Sequence, residues 1–166
     1  EKVFLDDCKA TGKTVMTFEE GRKLRLMRES VLAHPDARWL LEQDGYSESS
    51  IYWTDSETGE QCRIRPDRKI TSFPIMFDVK KVDDMSRFER HVSEFRYFVQ
   101  DAFYTTGHEA EYNETCAFIF LAVGSSIDCG RYPVRVRPLE EDWRMAGRTE
   151  MRKNLDLFHE CKMTNE

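Results

Sequence analysis

The sequence predicts a mixed α/β fold, with a central mixed sheet flanked by helices in the order α-β-β-β-α-β-β-α. Segments with apolar residues at helical spacing alternate with short runs rich in β-branched and aromatic residues. Neither internal repeats nor low-complexity linkers interrupt this order. The 166 residues, 40% of them hydrophobic, are enough for one sizeable core but not for two. We therefore expect one domain over residues 1–166.

Two helices are predicted near the start of the chain. The segment Thr17-Phe18-Glu19-Glu20 matches a capping box, and apolar residues follow at helical spacing, which predicts a helix over 18–33. His34-Pro35 ends this helix because the residue before a proline disfavours the α conformation. A shorter helix is predicted over 35–43, before a glycine.

Three strands follow these helices. Residues 49–54 and 61–65 are rich in β-branched and aromatic residues and are joined by a turn sequence, which predicts a β-hairpin. A third strand is predicted over 75–80, and its apolar residues indicate burial on both faces. Asp67 and Asp78 are therefore expected near strand ends.

The second half of the chain begins with one predicted amphipathic helix over 83–107. Its apolar stripe comprises Met85, Phe88, Val92, Phe95, Val99 and Ala102. Residues 116–123 predict a central strand and 132–136 a more exposed one. A charged helix is expected over 139–162. The residues expected on its buried side are Trp143, Met151, Leu155 and Phe158.

Composition narrows the possible functions. No apolar run is long enough to span a bilayer and the chain does not open on a signal peptide, so we expect a cytoplasmic protein without a membrane partner. Five scattered cysteines without a CxxC pair suggest reduced thiols and neither a disulfide framework nor a zinc or iron-sulfur site.

Charge gives a mixed signal about nucleic acid. The net charge of −6 counts mildly against a nucleic-acid partner, but basic residues are unevenly placed. One group surrounds Asp67 and a second recurs in the last third of the chain. They comprise Arg63, Arg65, Arg68 and Lys69, and then Arg131, Arg135, Arg137, Arg144 and Arg148. Scattered solvated charge is the alternative for each group.

Asp67 and the segment Asp78-Val79-Lys80 carry the strongest chemical signal. Side chains two apart in a strand share a face, so Asp78 and Lys80 should point the same way and Val79 into the core. Two carboxylates and the Val79 carbonyl suit Mg²⁺, which prefers oxygen ligands. Lys80 could then orient a water molecule or stabilise negative charge on a phosphate. The alternative for such a short pattern is an exposed ion pair at a strand end.

A polar row follows on the next predicted helix. Gln100 and Tyr104 are four residues apart, and Arg96 lies one turn earlier, so all three would share a face outside the apolar stripe. Such a face could contact the substrate. The alternative is a solvated helix surface.

These motifs together resemble a known family. RPD, FDVK and QDAFY, in this order of elements, resemble the PD-(D/E)xK nuclease superfamily and its RecB-like branch. The longer segments SESSIYWTDSETGEQCRIRPD, RYFVQDAFY and CGRYPVRV resemble the C-terminal nuclease domains of the RecE (exonuclease VIII) type. The resemblance runs from about residue 15 to the end of the chain.

The resemblance implies a Mg²⁺-dependent exonuclease, with Mn²⁺ able to substitute, that degrades linear double-stranded DNA from 5′ ends. The remaining 3′ strand would serve a RecT-like single-strand annealing protein in recombination, typically of prophages. It also implies a ring-shaped homo-oligomer, which we expect to be a tetramer.

Residue by residue, the resemblance assigns metal binding to Asp67, Asp78 and the carbonyl of Val79, and catalysis to Lys80 with both acids. Gln100 matches the third motif, in a catalytic or substrate-positioning role. Tyr104 belongs to the same motif. The resemblance also matches Glu48 to an acidic metal ligand ahead of the first strand.

Two departures from the family pattern affect these expectations. Residue 81 is Lys where Thr or Ser is usual. Related nucleases have a metal-ligating histidine in an N-terminal helical region, and that segment would lie before residue 1, so we expect a domain without its N-terminal part. His34 belongs to a different part of the pattern. The other histidines, His91, His108 and His159, are expected on the surface.

Two other functions remain open. A catalytically inactive PD-(D/E)xK-like domain could bind DNA or scaffold a complex. A site-specific endonuclease is the second alternative, although no additional recognition module is evident for reading sequence in a groove.

Overall fold

The computed structural model describes residues 2–164. These residues form six α-helices and seven strands, together with a short 3₁₀ turn. The helices are α1 (Lys2–Ala10), α2 (Phe18–Ala33), α3 (Pro35–Glu42), α4 (Phe88–Glu94), α5 (Tyr97–Tyr112) and α6 (Glu141–Thr164). The strands are β1 (Gly45–Ser47), β2 (Ile51–Thr54), β3 (Gln61–Ile64), β4 (Arg68–Ile70), β5 (Ile75–Val82), β6 (Ala117–Gly124) and β7 (Val134–Pro138).

Five strands form a mixed sheet in the order β1-β4-β5-β6-β7. Only β5 and β6 are parallel, and helices α4 and α5 make the crossover that a parallel pair requires. The predicted hairpin forms, but β2 and β3 make a separate two-stranded sheet. The predicted α/β class with a central mixed sheet is confirmed.

Apolar residues cover both faces of the five-stranded sheet. On one face α4, α5, α6 and the β2–β3 hairpin enclose the larger core, which includes Met76, Phe88 and Phe120. On the other face α2 and α3 pack on Phe77 and Leu121. Strand β5 thus contributes buried side chains to both cores, as its apolar sequence predicts.

The prediction of a single helix over 83–107 is wrong in two respects. Arg96 has the left-handed conformation (φ 53°), which separates α4 from α5 and leaves Phe95 61% exposed instead of in the apolar stripe. Helix α5 also continues past Gly107 to Tyr112. Gly107 allows close packing, because a Cβ there would lie 2.6 Å from the Trp53 ring.

Several smaller elements differ from the sequence expectations. Helix α1 and the three-residue strands β1 and β4 had not been expected. Val79 is 46% exposed and does not point into the core, although Phe77 on the same face of β5 is buried under α2 and α3. Phe158 is 57% exposed, whereas Met151 on the same helix is buried as predicted.

The histidines are not uniformly on the surface. His108 is 1% exposed, and its Nδ1 lies 3.0 Å from the Glu114 carbonyl oxygen, so the surface prediction is wrong for this residue. His34 caps α3 by accepting a hydrogen bond from a backbone N–H. Within residues 2–164, no helix is both long enough and apolar enough to cross a membrane.

Candidate active site

Asp67 and Asp78 are held together by reciprocal backbone hydrogen bonds. Asp67 directly precedes β4, and Asp78 lies within β5 one residue beyond the last β4 pair, rather than at a strand end. The Asp67 N–H donates to Asp78 Oδ1 over 3.0 Å, and the Val79 N–H donates to Asp67 Oδ2 over 2.7 Å. The two carboxylates therefore extend the β4–β5 ladder beyond its last backbone pair and have fixed orientations.

Lys80 and Gln100 both contact one oxygen of Asp78. The Lys80 Nζ lies 3.0 Å from Asp78 Oδ2, on the face that the two-residue spacing predicts. Gln100, from α5, donates a short hydrogen bond through Nε2 to the same oxygen. The Asp78 side chain is 8% exposed and that of Lys80 is 19% exposed, so this ion pair is largely shielded from solvent.

The electrostatic balance of the site is negative. Burial raises the pKa of Asp67, and the charges of Asp78 and Glu48 add to that effect, while the Val79 N–H and the Lys80 ammonium oppose it. Asp67 and Asp78 share a single lysine. A cation bound beside Asp67 would relieve this repulsion.

Tyr104 lies at the rim of the site. Its hydroxyl donates to the Arg65 carbonyl oxygen over 3.3 Å. Burial and then the negative charge of Asp78 raise the pKa of the tyrosine hydroxyl further above neutral pH. The structure thus places Gln100 and Tyr104, one turn apart on α5, on the side of the two carboxylates.

Glu48 lies beside the site, but its carboxylate is directed to another partner. Its backbone N–H donates to the Asp67 carbonyl over 3.2 Å. Its Oε2 lies 2.9 Å from the Arg65 Nε. Across residues 2–164, no three side chains of the His, Cys, Asp and Glu types come close enough to form a metal site by themselves. Glu48 therefore does not join Asp67 and Asp78 in a three-carboxylate cluster.

Arg96 does not share the helical face of Gln100 and Tyr104. It precedes α5 in the left-handed conformation, and its guanidinium lies 3.1 Å from Glu150 of α6. The expectation of a three-residue polar row is therefore wrong for Arg96, because the break between α4 and α5 redirects its side chain.

Aromatic residues beneath the lysine were not identified from the sequence. The Lys80 Nζ lies 5.0 Å from the Tyr97 ring centre and 5.9 Å from that of Phe120. Tyr97 stacks on Phe120 with ring centres 5.3 Å apart. Periodicity could not have revealed this contact, since it depends on how α5 crosses the sheet.

The donor atoms fit a hard divalent cation. Among the described residues, the Oδ1 of Asp67 accepts no hydrogen bond, whereas its Oδ2 does. In a strand the N–H and C=O of one residue point to the same side, so the Val79 carbonyl is directed at the edge where Asp67 lies. Two carboxylates and a carbonyl suit Mg²⁺ or Mn²⁺ better than a soft or borderline ion.

A mixed sheet that carries these acids and a lysine on adjacent strands, with a helical crossover supplying a glutamine, defines a PD-(D/E)xK nuclease fold. More specifically, the chain belongs to the family described as PDDEXK-like domain of unknown function (DUF3799), whose model matches residues 3–166.

One solved structure agrees with this fold. The chain is similar to a "putative exonuclease" from Eubacterium rectale, with a TM-score of 0.61 and 14% identity over 78% of this chain. It spans 50% of the length of that protein. An alkaline exonuclease from Laribacter hongkongensis matches with a TM-score of 0.35 and 13% identity, over 95% of this chain and 81% of its own. No curated protein matches the chain.

Proposed function

We propose that this protein is a Mg²⁺-dependent exonuclease that degrades linear double-stranded DNA in the 5′-to-3′ direction and leaves 3′ single-stranded overhangs. One observation carries the proposal: Asp67 and Asp78 are locked together while Lys80 and Gln100 meet on Asp78 Oδ2. The family membership and the fold match to an exonuclease support it.

Each residue of the site has a role in this proposal. Asp67, Asp78 and the Val79 carbonyl would hold Mg²⁺ through oxygen ligands. The bound ion would polarise the scissile phosphate and lower the pKa of a water molecule. Lys80 would then exchange its contact with Asp78 for the attacking water or the phosphate, where its charge stabilises the developing anion. Gln100 would orient the same groups, and Tyr104 would donate to the substrate.

The outer face of the β2–β3 hairpin supplies charge for a DNA backbone. Its inner face is buried, so Tyr52 and Arg63, which are directly opposite one another, face solvent. Arg65 continues that face towards Asp67 and is paired with Glu48. Cationic side chains beside the acids would offset the net negative charge of the chain as phosphates approach.

The remaining expectations extend the proposal. The 3′ overhang would be received by a RecT-like single-strand annealing protein in the cytoplasm, and the nuclease would act as a homo-tetrameric ring around the duplex. Ring closure would explain a preference for DNA ends, because a closed circle cannot be threaded through it.

A second candidate is a DNA-binding domain without catalysis. Both oxygens of Asp78 already accept hydrogen bonds from protein donors, which is also what a structural ion pair requires. The two functions differ in whether Mg²⁺ changes the DNA or only the affinity for it.

The test compares 5′-labelled linear duplex with closed circular duplex, each with Mg²⁺ or with a chelator. We expect the linear duplex to release short 5′-labelled products with Mg²⁺ and to remain intact with the chelator. Cleavage of the closed circle would contradict the exonuclease proposal. Retained DNA binding without any cleavage would favour the non-catalytic domain.

A further inference from the structure

Phe95 is a large aromatic side chain that the fold leaves on the surface beside the candidate site. It follows α4 and is 61% exposed, although its spacing belongs to the buried stripe of that region. Its ring stacks on Tyr97, with centres 5.8 Å apart and planes inclined by 29°. Tyr97 in turn stacks on buried Phe120 of β6. These three residues form an aromatic column that rises from the sheet and ends in solvent at Phe95.

The aromatic column passes next to the catalytic lysine of the proposed function. The Lys80 Nζ lies 5.0 Å from the Tyr97 ring centre, on which Phe95 stacks at 5.8 Å. Phe95 and the ammonium group are therefore within about 11 Å of each other. With a rise of about 3.4 Å per nucleotide, this distance corresponds to roughly three nucleotides.

The backbone next to Phe95 holds this ring outwards. Arg96 adopts φ 53°, a left-handed conformation that is rare for residues other than glycine. Its guanidinium is tied to Glu150 of α6. Phe95 is the last residue before this turn and lies beyond the end of α4, so its ring does not continue the helical stripe into the core. Locally strained backbone of this kind occurs preferentially at binding and catalytic sites.

We propose that Phe95 is a stacking platform for a nucleobase of the DNA substrate, within about three nucleotides of the phosphate at Asp67 and Asp78. The inference rests on the proposed function, since it places the base relative to that phosphate. Every nucleobase has a flat π-face, so one rigidly supported ring can hold any terminal base regardless of sequence. The aromatic column contacts Lys80 of the proposed nuclease site, and this continuity with the site commits the proposal to a nucleobase of its DNA substrate rather than an apolar protein segment as the occupant.

In the proposed exonuclease, the stacking platform would act at the end of a DNA duplex. A base that leaves its partner loses stacking in the duplex and regains it on Phe95. The exposed face of the ring would therefore stabilise a frayed end and fix the adjoining phosphate near the acids. Tyr97 and Phe120 would support this position from below.

The experiment uses a duplex with 2-aminopurine at one of the first three nucleotides from the 5′ end, with Ca²⁺ in place of Mg²⁺ to slow cleavage. We expect binding to change the fluorescence in a Phe95-dependent way. Phe95→Ala and Phe95→Leu should remove this change and weaken binding about tenfold, whereas Phe95→Trp should preserve both. Phe18→Ala is the matched control, because Phe18 is 75% exposed at the start of α2, across the sheet.

Each outcome decides the proposal. Equal fluorescence changes for the wild type and Phe95→Ala, or none for the wild type, would overturn the stacking platform. Retention by Phe95→Leu would also overturn it, because apolar contact would then suffice. A change of sedimentation mass in Phe95→Ala without loss of the fluorescence change would assign the ring to contact between copies. A Phe95-dependent signal without cleavage in Mg²⁺ would keep the platform and reject the nuclease.

Discussion

Two regions of the molecule contain shielded carboxylates, and they differ in how many cations neutralise them. Where α6 meets the hairpin, Asp55 accepts two hydrogen bonds from Arg152, at 2.9 and 3.1 Å, and the guanidinium lowers the pKa of Asp55 to about 2. Glu60 pairs with His159 at 2.9 Å and Lys162 at 2.7 Å, and these contacts lower its pKa. We call this set of residues the α6 anchor.

The candidate active site shows the reverse balance. Asp67 and Asp78 share Lys80, and the pKa of Asp67 is raised by burial. In the α6 anchor each carboxylate has its own cation, so ionisation favours the folded state. In the site the negative charge exceeds the positive charge, so ionisation is costly until another cation arrives. We expect this difference to separate carboxylates that stabilise the fold from carboxylates that take part in chemistry.

Of the variants that test this comparison, Asp78→Asn should have the largest effect, which is on cleavage. It keeps the shape of the side chain and removes one negative charge from the site. We expect cleavage of linear duplex to fall at least about 100- to 1,000-fold, the size seen when one electrostatic catalytic group is removed. Initial rates with Mg²⁺ measure the effect. Stability should change less than in the α6 anchor variant described next, because Asp78→Asn also removes the repulsion between Asp78 and Asp67.

Asp55→Asn should affect stability instead. Removing this charge leaves Arg152, whose side chain is 23% exposed, with only its more exposed partners Glu57 and Asp156. We expect the free energy of unfolding to fall by about 2 to 3 kcal/mol, somewhat less than for a fully buried pair. Urea denaturation measures this loss.

The cleavage rate per folded molecule is the control for Asp55→Asn and should match the wild type. A loss of cleavage without a loss of stability would contradict the distinction between the two regions. Since the folded pKa of Asp55 lies below its usual value, its stabilising contribution should be complete above about pH 4 and disappear as the pH falls towards 2.

Asp101 is a third shielded carboxylate, for which we expect a smaller effect. It is 2% exposed, its closest cation is Arg144 at 3.8 Å, and burial raises its pKa to about 6. Because the folded pKa is raised, the stability that it contributes is present below about pH 4 and is lost as the pH rises through 6. The expected loss is on the order of 2 kcal/mol.

Asp101→Asn should flatten the dependence of unfolding free energy on pH between 4 and 6. Denaturant titrations of both proteins across this range measure the difference. An unchanged slope would mean that Arg144 and Arg148 keep Asp101 ionised, which would move it into the class of the α6 anchor.

Local sequence patterns predict much of the arrangement of side chains in the site. The spacing of Asp78 and Lys80 places both on one strand face, and the spacing of Gln100 and Tyr104 places both on one helix face. The structure brings these four side chains and Asp67 together. Their catalytic and metal-binding roles remain predictions. Local sequence did not reveal the partners of Glu48 and Arg96, whose side chains pair with Arg65 and Glu150.

The sequence by itself determined the helices with clear caps, the hairpin and the strand that carries Asp78, because each has a periodicity or turn signal within a few residues. Only the tertiary structure decided the parallel pairing of β5 with β6, the break at Arg96 and the exposure of Phe95. It also decided which cation neutralises which carboxylate. Such contacts join residues up to 102 positions apart, and local patterns carry no information about partners at that distance.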